Sequence, residues 1–221
     1  MKRLVFHFDV ISPFAYLAFE QLPQVLEGCS YAVEYRPVLF AAMLQAHAHK
    51  GPAEIEPKRQ WTFRHVHWLA HRHGVAMQTP AVHPFNPLPV LRLLVASAAG
   101  AAPNRHVVEA AFRHVWVGGG DPNDAQRLRA LRNLIQPSND AKIDPEIDPE
   151  GDIVKQRLRH NTSQALADGV FGVPTISLDG RLFWGLDALP MVRDALLGGD
   201  WFNGSGWDAA ATPPPGVVRG R

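Results

Sequence analysis

Ser12 stands between the apolar run Leu4 to Ile11 and a segment beginning Pro13-Phe14-Ala15-Tyr16-Leu17. That order puts a hydroxyl where a strand turns into a helix. A hydroxyl in that place can cap the helix. Together with the positive end of the helix dipole, equivalent to roughly half an elementary charge, it can also stabilise a bound anion, and the two roles are compatible. Far downstream, Phe171-Gly172-Val173-Pro174-Thr175 supplies a second signal, an X-Pro bond just ahead of an apolar stretch. Asp187 is either a helix cap or a ligand contact. His65, His67, His71 and His73 crowd one segment, and His67 with His71 has the i, i+4 spacing of zinc sites. The glutamate that a metalloprotease needs beside the first histidine is missing, so a solvated or subunit-facing helix is expected there and no metal site. Cys29, the single cysteine, excludes an intramolecular disulfide and a CxxC dithiol and is read as structural.

These residues need elements to hold them. Leu4, Phe6, Phe8 and Val10 alternate with Val5, His7 and Asp9, which predicts a strand. Ser12 as N-cap and Pro13 at the first helical position then open a helix, with Pro23 expected to kink or shorten it. Tyr31 to Val38 alternates again and predicts a second strand. From residue 41 to 164 the pattern is helical, with candidates at Lys58–His73, Leu88–Ala99, Asn104–Val117 and Asp124–Ile135. Gly118-Gly119-Gly120 and the Pro137–Asp152 run break it. Trp61, Trp68 and Leu69 are expected in the core, whereas Phe14, Phe40 and Phe85 are candidates for an aromatic pocket. A helix over Asp152–Asp168 precedes a strand from Pro174 to Leu178, a type I′ turn at Asp179-Gly180 and a returning strand from Arg181 to Trp184. Asp187 would cap a last helix running to Leu197. Residues 201–221, rich in Gly and Pro, read as a tail with little regular structure.

The chain thus opens β-α-β and closes β-β-α around a helical block. Residues 1–40 and 165–200 are expected to form one discontinuous α/β domain and 41–164 an insertion. With 221 residues, 46% of them hydrophobic, it can bury a sizeable core. A net charge of +1 gives no general attraction to nucleic acid or to an anionic membrane. The N-terminal apolar segment, interrupted by His7 and Asp9, is too short and polar for a secretory signal, and no stretch reaches the roughly 20 apolar residues of a membrane span. A cytoplasmic protein with a small-molecule or a protein partner is expected.

Six blocks carry a family resemblance. They are Phe8-Asp9-Val10-Ile11-Ser12-Pro13-Phe14-Ala15-Tyr16-Leu17-Ala18, Tyr35-Arg36-Pro37-Val38-Leu39, Lys50-Gly51-Pro52-Ala53-Glu54 with Lys58-Arg59, His83-Pro84-Phe85-Asn86-Pro87-Leu88, Gly169-Val170-Phe171-Gly172-Val173-Pro174-Thr175, and Phe183-Trp184-Gly185-Leu186-Asp187. In these the chain resembles the DsbA-like branch of the thioredoxin superfamily, and within it the 2-hydroxychromene-2-carboxylate isomerases and kappa-class glutathione transferases. The resemblance implies a thioredoxin-like fold with a helical insertion, a homodimer, and glutathione as the thiol. Ser12 stands where a redox member carries cysteine, and Ala15 where the second cysteine would be.

The same resemblance implies that Ser12 hydrogen-bonds the glutathione sulfur and favours its thiolate. It also implies that the Val173-Pro174 bond is cis, that the Val173 main chain pairs with glutathione, and that Asp187 holds the γ-glutamyl amine within a turn made by Trp184, Gly185 and Leu186. His49, Lys50, Phe85 and Asn86 match positions that face glutathione or the aromatic substrate, alongside Phe14; from their residue types alone, Lys50 is equally a solvated loop lysine and Asn86 a turn residue. Ala188 follows Asp187 where many of the isomerases have arginine, and His49 stands where kappa-class enzymes have asparagine. The implied reaction is conjugate addition of the thiolate to an aromatic substrate, bond rotation and elimination in aromatic catabolism. The alternatives are transfer of glutathione to hydrophobic electrophiles and a non-catalytic DsbA-like binding protein.

Overall fold

The computed structural model of the chain describes residues 1–98, 101–135 and 148–212. The opening unit is β1 (Lys2–Phe8), α1 (Pro13–Val25) and β2 (Tyr31–Pro37). β1 and β2 pair in parallel, from Lys2 opposite Tyr31 to Phe8 opposite Pro37. After the helical block, β3 (Thr175–Leu178) returns antiparallel to β1, with His7 opposite Thr175, and β4 (Arg181–Trp184) pairs antiparallel with β3. The four-stranded order is β2-β1-β3-β4, so residues from the two ends of the chain share a central strand pair. The turn between β3 and β4 has positive φ at both Asp179 and Gly180, as a type I′ turn requires.

Alternation along β1 decides which face is core. Leu4, Phe6 and Phe8 are fully buried, and Phe8, Tyr16 and Phe19 pack around Phe112 at ring separations of 5.3 to 5.8 Å. Phe112 belongs to the inserted block, which comprises α2 (Phe40–Ala46), α3 (Glu56–His73), α4 (Leu88–Ala96), α5 (Arg105–Trp116), α6 (Ala125–Ile135) and α7 (Asp152–Ala167). The insertion therefore shares the core of the sheet. On the opposite face of β1, His7 is 1% exposed and shares a hydrogen bond with Ser177 Oγ at 3.0 Å. A smaller cluster of Val38, Met43, Ala165, Val170 and Val173 ties α2 and α7 to the loop that leads into β3.

Three expectations need correction. Trp61 and Trp68 are 65% and 52% exposed, not core. They stack with His65 between them, and Arg72 lies over Trp68. α3 instead buries Val66 and Ala70, so the helix face with the smaller residues packs inward and the aromatic stripe faces out. Asp187 does not cap the last helix: a 3-10 turn, Leu186–Ala188, intervenes, and α8 (Leu189–Leu197) starts with Pro190 in its first turn and no side-chain cap. The end of the chain is also more ordered than its glycines suggest, with α9 (Asp200–Asn203) and α10 (Gly206–Ala210). Phe202 is buried, and with Trp207 it packs on Phe183 of β4 at 5.3 to 5.7 Å, while the Arg181 guanidinium lies over both rings. Two aromatic residues spaced five apart offset the poor helix propensity around them. α1 continues two residues past Pro23, which sits near its end where few backbone bonds are lost. The break expected within residues 137–152 falls mostly outside the described residues, as do residues 213–221.

Candidate active site

β1 ends at Phe8, and Asp9 to Ile11 form the turn that delivers Ser12 to the start of α1. The Ser12 N–H donates to Asp9 O at 3.1 Å, and Ser12 Oγ accepts from the Ala15 N–H at 3.2 Å, which makes it the N-cap. Ser12 Oγ also donates to Val173 O, at 3.4 Å. That long contact joins residues 161 apart in the chain. The Val173–Pro174 peptide is cis, as is His83–Pro84. Pro174 O accepts from the Gly185 N–H at 2.9 Å, which locks the proline loop to the Trp184–Asp187 turn. Gly185 has φ of +100°, and a Cβ there would strike the Asp187 carboxylate, so glycine alone suits this corner.

The loop that carries Ser12 is fixed from three directions. Trp116 Nε1 donates to Val10 O at 2.9 Å, His83 Nε2 bonds Ile11 O at 3.0 Å, and the Asp9 carboxylate accepts from the Phe40 and Ile11 N–H groups at 2.9 and 3.1 Å. Two of those partners sit in or beside helices of the insertion, so the inserted block positions the hydroxyl. Burial pushes the Asp9 carboxyl up to about 7 even though its two backbone bonds favour the charged form. Burial, aided by the charge of Arg36, pushes His7 down to about 4.

Those two groups make an opposed pair in the pH dependence of stability. His7, depressed, contributes stability that is complete above its unfolded value of about 6.5 and is lost as pH falls toward 4. Asp9, raised, contributes stability that is complete below its unfolded value of about 3.9 and is lost as pH rises through 7. Between about pH 4 and 6.5 the slopes oppose, each up to about 1.4 kcal/mol per pH unit. Asp9→Asn is therefore expected to expose the His7 slope: urea unfolding at pH 4.5, 5.5 and 6.5 should show the variant losing stability on acidification more steeply than wild type. Parallel curves would contradict the assignment.

Two cavities meet at this point and share Phe14, Val173 and Trp184. The first, a groove of about 560 Å³, runs along Val173, Pro174 and Trp184 to Asp187 and is walled opposite by His65 and Leu69 of α3. The second, of about 390 Å³, contains Ser12 and is walled by Phe14, Phe40, Phe63, Phe85, Pro84 and Pro87. Ser12, 9% exposed, sits in the wall of the second with the start of α1 behind it. The expected residues Ser12, Phe14, Phe85, Val173, Pro174, Trp184, Gly185, Leu186 and Asp187 all line these cavities, as does Phe40. His49 and Lys50 are exposed just before Gly51 and line neither cavity. Asn86 is exposed and uses its Oδ1 on the Leu88 N–H at 3.1 Å, in the turn into α4. Asp9, Arg59 and His83 line the second cavity and are functional candidates that residue-type reasoning passed over. For Asp9 a signal existed, a carboxylate inside an apolar run three residues before Ser12. Among the described residues, no group of three or more His, Cys, Asp or Glu is placed to hold a metal ion, and no helix is long and apolar enough to cross a membrane.

A four-stranded sheet split by a helical insertion, with a helix N-terminus facing a cis-proline loop, defines a class of protein. The model of the DSBA-like thioredoxin domain matches residues 3–197, and the chain belongs to that family. Within it, the chain belongs with the 2-hydroxychromene-2-carboxylate isomerases and kappa-class glutathione transferases. It is 30% identical over 198 residues to a 2-hydroxychromene-2-carboxylate isomerase of Sphingobium xenophagum, covering 89% of this chain and 98% of that protein. It is 27% identical to glutathione S-transferase kappa 2 of Caenorhabditis elegans, covering 88% and 92% respectively. A solved structure of a 2-hydroxychromene-2-carboxylate isomerase superposes with a TM-score of 0.73 at 22% identity, over 96% of this chain and 100% of that one, which shows the shared fold.

Proposed function

We propose that the protein is a glutathione-dependent isomerase acting on 2-hydroxychromene-2-carboxylate or a close aromatic relative. The observation that carries this reading is the pair of adjoining cavities that share Phe14, Val173 and Trp184: an extended groove for a peptide-like thiol, and an aromatic cavity in whose wall the Ser12 hydroxyl bonds the shared Val173. The similarity to the Sphingobium xenophagum isomerase over nearly its whole length supports the choice of reaction.

The residues present fit glutathione. The Val173 main chain would pair with its backbone in the manner of an added strand. Asp187, exposed at the far end of the groove, would hold the amine, with Trp184, Gly185 and Leu186 as the turn around it. Bound there, glutathione would supply a thiolate that adds to the substrate, permits rotation about the bond made single, and leaves again. Ser12 supplies a hydroxyl donor whose long bond to Val173 O, 3.4 Å, would give way to an arriving anion while Ala15 N–H keeps the oxygen in place. The N-terminus of α1 adds a fixed positive potential at the same point. In a site so little exposed to water, both effects are stronger than in solution. Phe14, Phe40 and Phe85 hold an aromatic ring against that point and exclude solvent from it.

Interconversion of the chromene and its ring-opened isomer should proceed through many turnovers per glutathione, with the thiol recovered unchanged. Consumption of one glutathione per product, with a chloronitrobenzene-type electrophile as the only substrate turned over, would replace this reading by transfer. Binding of glutathione with turnover of neither would reduce the protein to a binding module.

A further inference from the structure

The second cavity is mostly apolar, and its four ionisable side chains are Asp9, Glu54, Arg59 and His83. Three of them are turned to backbone groups. Asp9 accepts from Ile11 and Phe40, Glu54 Oε1 accepts from the Gly51 N–H at 2.6 Å, and His83 Nε2 bonds Ile11 O. Arg59 differs. Its Nη2 donates to His83 O at 3.0 Å, but its Nε is buried without a hydrogen-bond partner among the described residues. No carboxylate of the described residues makes an ion pair with it.

This placement works against stability twice. Arg59 is the fourth residue of α3, and a cation in the first turn opposes the helix dipole. A partly buried guanidinium without a counter-charge also loses hydration that nothing restores. Such a group is explained if an anion arrives with the ligand. The shape of the group and of its surroundings narrows the class. A guanidinium grips a carboxylate through two parallel N–H bonds, and with one of its five donors spent on His83 O, Arg59 keeps N–H groups on Nη1 and Nη2 for such a contact. The walls around it, Phe40, Phe63, Phe85 and the prolines, suit a flat ring. With a single guanidinium in its wall, the cavity favours a singly charged group over a phosphate.

We propose that Arg59 is the carboxylate receptor of the aromatic cavity, so that this site selects aromatic carboxylates over neutral molecules of the same shape. The proposal rests on the isomerase reading for the natural substrate, but the recognition itself is measurable without glutathione or turnover. Calorimetric titration of the full chain with 2-hydroxycinnamate and with its uncharged amide provides the test, in wild type, Arg59→Gln and Arg59→Lys. Wild type should bind the carboxylate about tenfold to a hundredfold more tightly than the amide, the range expected for hydrogen bonds to a charged group. Arg59→Gln should lose that preference while binding the amide as wild type does, which also shows the cavity intact. Arg59→Lys should keep the preference in part, since it keeps the charge without the planar edge. Equal binding of acid and amide by wild type, or a preference that survives in Arg59→Gln, would overturn the proposal. A carboxylate preference in a protein with no isomerase turnover would instead overturn the proposed function and leave the role of Arg59 standing.

Discussion

Ser12→Ala is expected to lower turnover about a hundredfold or more, the effect of removing one donor from a developing or stabilised anion, while glutathione affinity falls less than about tenfold. The difference follows from the proposed binding mode, in which affinity would be spread along the groove from Val173 to Asp187 while the sulfur would have Ser12 as its side-chain donor. The same change removes the cap of α1, since the Ala15 N–H loses its acceptor. A stability loss of about 1 kcal/mol should accompany it. Steady-state kinetics, glutathione titration and denaturant unfolding on one preparation separate the three effects. A variant that loses stability by that amount but keeps full turnover would leave Ser12 as a cap and nothing more. Ser12→Cys should not create dithiol exchange, because Ala15 provides no second thiol.

The second large effect is expected at Trp116. Its ring is fully buried in α5, lies 5.8 Å from the His83 ring, and donates through Nε1 to Val10 O in the Ser12 loop. Trp116→Ala should destabilise the protein by about 3 to 5 kcal/mol, through lost burial and the cavity left behind. Trp116→Phe keeps most of the ring and removes the donor, so about 1 kcal/mol is expected from the lost bond. Turnover in this milder variant should still drop, since Val10 and Ile11 set the position of the Ser12 hydroxyl. Unfolding midpoints compared with turnover at saturating glutathione check both statements; full activity in Trp116→Phe would mean that His83 and Asp9 suffice to hold the loop.

What could be foreseen from the residues was what local chemistry decides. The N-cap at Ser12 with Pro13 behind it, the two positive φ angles at Asp179-Gly180 and the alternation of Leu4, Phe6 and Phe8 each depend on a few neighbouring residues. The pairing of Ser12 with Val173 was legible because both motifs are distinctive and the fold is shared with known relatives. Choices between faces and between distant partners were not legible. α3 could turn either its aromatic stripe or its Val66 and Ala70 face inward, and the neighbours that decided lie elsewhere in the chain. Asp187 was misplaced by one short 3-10 turn. The packing of Phe202 and Trp207 on Phe183 was hidden by the glycines around it. Arg59 and His83 read as ordinary helix and loop residues, and only the folded chain brings them to the same wall as Ser12.

The central claim is that Ser12 and the start of α1 favour a thiolate on a borrowed sulfur. Ultraviolet titration of glutathione bound to the purified protein tests it most directly, because thiolate absorbs where thiol does not. The bound thiol should ionise at least one pH unit below the ordinary thiol value of about 8.5, and Ser12→Ala should move the midpoint back toward that value. A wild-type midpoint no different from that of free glutathione would contradict the account.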